Sequence, residues 1–174
     1  MKIKKILKRL LQLHPKSVDL SLDRIKRLLK DLNNPEKKIK NVIQVVGTNG
    51  KYSFCSTLRE IYETAGYTVN LNTSPSLKKF NERYYFLGKY ISDARLYNLL
   101  TEVEKINKKK QITFHEFLCA CFFLEASRKK SDITILEAGL FFRLDARNVL
   151  KKKYCFNSNA YWNGSQRLFK KRYN

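Results

Sequence analysis

Apolar and polar residues alternate along the chain in two rhythms that separate helices from strands. From Lys2 to Leu13 isoleucines and leucines recur at helical spacing among lysines and an arginine, which predicts a basic amphipathic helix. Pro15 interrupts the pattern, and Ser17 and Asp19 favour local side-chain bonds, so His14 to Leu20 reads as a loop. Ser21 is placed to cap a second helix, Leu22 to Leu32, with Ile25, Leu28, Leu29 and Leu32 on one face, and Asn33-Asn34-Pro35 ends it. Val42 to Val46 is a short β-branched run that stops at Gly47, and a helix follows to about Ala65, with Gly66 as its stop. Tyr67 to Asn72 reads as the next strand. Strand, helix and strand in so few residues predict a right-handed parallel crossover and an α/β layer.

Arg83 to Ile91 predicts a hairpin around Leu87-Gly88-Lys89, and Ser92 caps a helix running to about Ile106. Thr113 caps Phe114 to Ser127, which is apolar all round and so belongs between layers. Ile133 to Leu136 is a third buried strand that delivers Glu137 at its C-terminal end.

Composition narrows the class. A chain of 174 residues, 43% hydrophobic, suits one domain with a packed core. The net charge of +21 favours polyanions, but the lysines are spread over nearly every segment and no aromatic-basic repeat appears. They read as a solvated surface rather than a nucleic-acid groove, and no specific nucleic-acid partner is expected. Cys55, Cys119, Cys121 and Cys155 form no C-x-x-C pair, and His14 and His115 lack obvious ligand partners, which argues against zinc. Cys55, Cys119 and Cys121 fall in apolar helical patterns, as expected of reduced core residues in a cytoplasmic protein. No apolar run approaches a membrane span, and the first helix is expected to pack its apolar face on the domain rather than on a membrane.

The chemistry concentrates where the first strand ends. Gly47-Thr48-Asn49-Gly50-Lys51-Tyr52-Ser53 has the spacing G-x-x-G-K-x-S, shorter than the common phosphate-loop pattern. Glycines let the backbone turn its N–H groups on a phosphate, and the helix start adds partial positive charge. Lys51 would reach the outer phosphates, and Ser53 is placed to hold a magnesium ion. Thr73-Ser74-Pro75-Ser76 follows a strand end, where open parallel sheets place ligand contacts, though an ordinary turn has the same composition. Glu137, at the end of a neighbouring strand, sits where phosphate-loop enzymes keep an acid for the metal.

Three motifs in order resemble one family. The runs Val45 to Lys51, Thr73 to Leu77 with Phe80 to Arg83, and Leu136 to Leu140 with Arg143 to Asn148 resemble folylpolyglutamate synthase and dihydrofolate synthase, of the Mur ligase superfamily. The similarity runs from about His14 to Leu150. It implies a three-layer α/β phosphate-loop domain with a mostly parallel central sheet, incomplete at its C-terminal end. It also implies ATP-dependent ligation of L-glutamate to dihydropteroate or folate through an acyl phosphate, with magnesium, by a monomer. Carried over by position, Thr48, Asn49, Gly50 and Lys51 would hold ATP, Lys51 acting in catalysis, and Ser53, Ser74 and Glu137 would serve magnesium. Ser17, Val18, Asp19 and Leu20, then Thr113, Phe114, His115 and Glu116, then Leu144, Asp145 and Ala146 match the pterin-binding segments.

The departures are as specific. Family members usually carry glycine at Tyr52, histidine at Ser76, a glycine pair at Phe141-Phe142 and threonine at Arg147. Tyr52 brings a ring beside the phosphates, where it either packs harmlessly or crowds the nucleotide. The family also continues into another strand, an Asp-His segment for a second magnesium and a further domain. Here residues 1–150 form the family portion, and 151–174, opened by Lys151-Lys152-Lys153, are a basic tail with no acid after Lys153 and no clear periodicity. Back-translated with AT-rich codons and read in a shifted frame, the tail becomes NIVSILTPIGMDHKDYLKKDI, which resembles the missing strand and its Asp-His pair. A slip in the adenines encoding those lysines is therefore expected, leaving a truncated form weak or inactive as a ligase. The competing expectations are a nucleotide-binding module without catalysis and a basic nucleic-acid-binding protein.

Overall fold

The computed structural model describes residues 2–16, 19, 21–139 and 144–158. Helix α1 spans Lys2–Leu11 and α2 spans Asp23–Asp31; β1 (Val42–Val46) leads into α3 (Lys51–Thr64) and β2 (Val69–Asn72). A hairpin of β3 (Tyr84–Phe86) and β4 (Lys89–Tyr90) precedes α4 (Asp93–Asn107), α5 (Phe114–Arg128), β5 (Ile133–Glu137) and β6 (Tyr154–Asn157).

One six-stranded sheet has the order β4-β3-β2-β5-β1-β6. The pairs β2–β5, β5–β1 and β1–β6 are parallel, and the hairpin adds β3 and β4 antiparallel. Side chains alternate along each strand, so the sheet feeds two cores. Ile43, Val45, Val69, Leu71 and Ile135 pack with Cys55, Phe54 and Leu58 of α3. Val42, Tyr84, Phe86 and Leu136 face the larger core built by α1, α2, α4 and α5. Three layers result, with α5 buried continuously from Glu116 to Ala126, as its unbroken apolar character predicts.

Local chemistry sets the ends. Thr113 and Glu116 form a capping box: the Thr113 N–H donates to Glu116 Oε2 at 2.8 Å and the Glu116 N–H to Thr113 Oγ1 at 3.3 Å. Ser92 caps α4 by accepting the Arg95 N–H at 3.3 Å. Ser21 accepts the Asp23 N–H at 3.1 Å, although the helix itself begins after Leu22. Helix α1 stops two residues short of the expected Leu13, because Gln12 and Leu13 bond back to Arg9 and Leu10 in a tightened last turn. Tyr67, expected to open β2, instead closes α3, its N–H bonded to the Tyr62 carbonyl at 3.0 Å. Helix α5 and strand β5 each run one residue further than expected.

Tyr154–Asn157, read as part of an aperiodic tail, is a strand. Parallel backbone pairing with β1 places it, and Phe156 alone of the four packs on the α3-side core, against Phe54 at 6.3 Å, so a full alternating pattern was not needed to form it.

Candidate functional site

The parallel strands all end on the same edge of the sheet, and the chemistry gathers there. Val46 ends β1, the chain turns through Gly47 at φ 140° and Gly50 at φ 72°, and α3 begins at Lys51. The left-handed conformation at the helix entry is open to glycine without a Cβ penalty. Lys51 folds back over this turn and its Nζ donates to the carbonyls of Gly47 at 2.8 Å and Thr48 at 3.2 Å. Ser158, beyond β6, donates to the Asn49 carbonyl at 2.8 Å. Ser53 lies exposed on the first turn of α3. The Tyr52 ring leans along α3 toward Ser56 and Tyr90, and its partial burial raises the phenol pKa.

Beside this turn, β2 and β5 bring Ser74 and Glu137 together. The Ser74 N–H donates to Glu137 Oε2 at 2.7 Å. Burial raises the Glu137 pKa, against the opposing pull of the Ser74 N–H, Arg147, Lys51 and Arg83. The loop after Ser74 is held by Glu82, whose carboxylate accepts the N–H groups of Leu77, Lys78 and Lys79; the bond from Lys79 leads in lowering its pKa.

The segments assigned to pterin binding meet through charges. Arg24 of α2 donates from Nε to Glu116 Oε2 at 3.0 Å and from Nη2 to the Asp19 carbonyl at 2.7 Å. Its Nη1 lies 3.3 Å from the Asp19 carboxylate, which is also 3.4 Å from His14 Nε2. On the residue before Glu116, His115 Nε2 lies 3.2 Å from Asp145 Oδ2. Leu144 is exposed, Ala146 is in the larger core, and Phe114 packs its ring on Phe80 at 6.3 Å. Thr113 is buried in its cap. Ser17, Val18 and Leu20, with Phe141 and Phe142, lie outside the described residues.

Asp145 is the hinge of this cluster. Its Oδ2 accepts the Gly139 N–H at 3.1 Å and its Oδ1 the Arg147 N–H at 2.9 Å. A Cβ on Gly139 would stand 2.4 Å from Asp145 Oδ2, so only glycine allows this approach. Burial alone would raise the Asp145 pKa, but Arg147 and the His115 hydrogen bond outweigh it and hold it at about 2. His115 is pushed up to about 9, first by the neighbouring Cys119 sulfur, against desolvation, and then by Asp145.

Sequence reasoning missed two residues that hold the site. Nothing in the spacing of α2 singles out Arg24. Arg147 stood out only as a departure from the family pattern. Arg147 is fully buried and donates from Nε to Asn72 Oδ1 at 2.9 Å and from Nη2 to Ser74 Oγ at 3.1 Å. Its Nη1 lies 3.3 Å from His115 Nε2 and 3.6 Å from Asp145 Oδ2. Asn72 in turn donates to the Arg83 carbonyl at 2.7 Å.

A glycine turn opening a helix, with an acid and a hydroxyl at the next strand ends, defines an α/β domain of the phosphate-loop kind. No family model matches the chain. It is 40% identical over 137 residues to the dihydrofolate synthase/folylpolyglutamate synthase of Bacillus subtilis, and 33% identical over 138 residues to that of Escherichia coli. These matches cover 75% and 79% of the chain but 32% of each relative. Among solved structures, E. coli FolC in complex with DHPP and ADP superposes with a TM-score of 0.83 at 29% identity, covering 94% of this chain and 41% of that one. A bifunctional folylpolyglutamate synthase/dihydrofolate synthase with Mn, AMPPNP and L-glutamate bound gives 0.79 at 31%, covering 87% and 36%. The chain belongs to the dihydrofolate synthase/folylpolyglutamate synthase family and spans about a third of the length of the curated relatives it matches.

Proposed function

We propose that this chain carries the nucleotide-binding part of an ATP-dependent ligase that joins L-glutamate to dihydropteroate or a folate. The observation that carries the reading is the convergence on one sheet edge of the Lys51 turn, the Ser74–Glu137 pair and the His115–Asp145 pair. Thr48, Asn49 and Gly50 would present backbone donors to ATP. Lys51, now resting on two loop carbonyls, would move to the outer phosphates and steady the charge that builds on the transferring phosphoryl group.

Among the described residues no three His, Cys, Asp or Glu could hold a metal by themselves. The donors present, two serine hydroxyls and one carboxylate, nevertheless suit magnesium, which takes hard oxygen ligands and leaves positions for substrate phosphates. Ser53, Ser74 and Glu137 would hold it. Bound there, the ion would neutralise phosphate charge. The substrate carboxylate oxygen would take the γ-phosphoryl group and release ADP; the glutamate amine would then attack the acyl carbon and expel phosphate. Asp19, Thr113, Phe114, His115, Glu116, Leu144, Asp145 and Ala146, with Ser17, Val18 and Leu20, would line the pterin side.

The protein is read as a cytoplasmic monomer acting on small molecules, with neither nucleic acid nor membrane as partner; among the described residues no helix is long and apolar enough to cross a membrane. The family portion is read as 1–150, and the stretch after Lys153 as out of frame. Resequencing the adenine run would decide the frame, an intact run followed by a genuine stop after Asn174 removing the proposal. For the activity, ADP release with dihydropteroate should depend on glutamate in a frame-corrected version and be weak or absent in this chain. No glutamate-dependent release from the corrected version would overturn the ligase reading.

A further inference from the structure

Arg147 heads the largest fully buried side chains, and its guanidinium is committed on every nitrogen: to Asn72, to Ser74 and to the His115–Asp145 pair. A guanidinium does not deprotonate in proteins. With 2% exposure and these partners on three separate chain segments, it cannot swing away without leaving Asp145 buried and unpaired. A permanent positive charge thus sits 3.1 Å from the Ser74 hydroxyl oxygen, using one of its two lone pairs, and acts on Glu137 as well. These two groups, the half-buried Ser74 and the buried Glu137, are ones that the magnesium assignment gives to a divalent cation.

We propose that Arg147 is a resident cation that supplies part of the positive charge a divalent ion would bring to the Ser74–Glu137 pair. Metal is then held weakly by this chain, and its nucleotide site depends little on metal. The inference rests on the magnesium assignment made under Proposed function. Its cause is direct: like charges a few ångströms apart in a partly dry site repel strongly, and a dication doubles the effect. Arg147 touches no bulk solvent and is a positioning residue, acting on ligands through Ser74 and Glu137.

The test uses the whole chain. Manganese binding is titrated by electron paramagnetic resonance without nucleotide, and ATP binding by calorimetry in magnesium and in EDTA, for wild type, Arg147→Gln and Arg147→Lys. Wild type should bind ATP with dissociation constants within about threefold in the two conditions, and Arg147→Gln should bind manganese about tenfold more tightly than wild type. Arg147→Lys, which keeps the charge and loses the fork, should hold manganese as weakly as wild type.

A loss of about tenfold or more in wild-type ATP affinity on removing magnesium would overturn the proposal. So would unchanged manganese binding in a folded Arg147→Gln, or equal tightening by both variants, which would assign the effect to fork geometry rather than charge. If Arg147→Gln fails to fold, the wild-type ATP comparison and the lysine variant decide. If wild type binds ATP in neither condition, the nucleotide reading falls, and the manganese titration still judges Arg147.

Discussion

Asp145 accepts backbone N–H bonds from Gly139 and Arg147 and lies against His115 and Arg147, so its charge is anchored on several sides. Gly139→Ala would put a methyl 2.4 Å from Asp145 Oδ2 and push the carboxylate off its partners; we expect a loss of about 2 kcal/mol in urea denaturation. The pH dependence has a definite sign. The Asp145 pKa is depressed from 3.8 to about 2, so its stabilisation is complete above 3.8 and lost as pH falls through about 2. At this buried site that difference corresponds to about 2 kcal/mol. His115 runs the other way: raised from 6.5 to about 9, its contribution is full below 6.5 and fades as pH rises through about 9. Melting temperatures against pH should show both limbs; His115→Gln should remove the alkaline one, and Asp145→Asn should shrink the acid one and, because Asp145 helps raise His115, part of the alkaline one too. Asp145 and His115 were legible in the sequence because each lies in a short motif. Arg147 was not, since its meaning depends on Asn72 and Ser74, over seventy residues away, which no local spacing reveals.

Elements were legible where a cap or a stop residue marks them. Ser92, Thr113 and Gly66 fall where the helices begin or end, and the uniform apolarity of α5 predicted its burial between layers. Thr113→Ala should cost about 1 kcal/mol in chemical denaturation, because α5 loses one side of a reciprocal cap. Boundaries failed where the last turn of a helix and the next strand compete for the same backbone groups. Tyr67 has strand-like chemistry, but its N–H is claimed by the Tyr62 carbonyl. Tyr154–Asn157 was hard to read because an edge strand beside β1 is placed mainly by backbone pairing, with Phe156 packing its ring 6.3 Å from Phe54. Among the described residues the hydrogen bonds of Lys51 go to loop carbonyls, so Lys51→Ala should change the melting free energy by less than about 1 kcal/mol.

At the scale of the molecule, the α/β class followed from strand, helix and strand in succession, whereas the order β4-β3-β2-β5-β1-β6 did not. β5, last of the central strands in the chain, inserts between β1 and β2, a non-local pairing that carries Glu137 to Ser74. The site therefore exists only in the assembled sheet, although most of its residues could be named one motif at a time. The spread of positive charge over the surface sets no site by itself; the candidate for binding nucleotide is the turn from Gly47 to Lys51. The most direct measurement is a calorimetric titration of ATP into wild type and Lys51→Ala, with both melting curves recorded. Saturable binding by wild type, weakened about tenfold or more in a Lys51→Ala chain of unchanged melting temperature, is the predicted result. Equal affinity in the two proteins, or no binding by folded wild type, would contradict it.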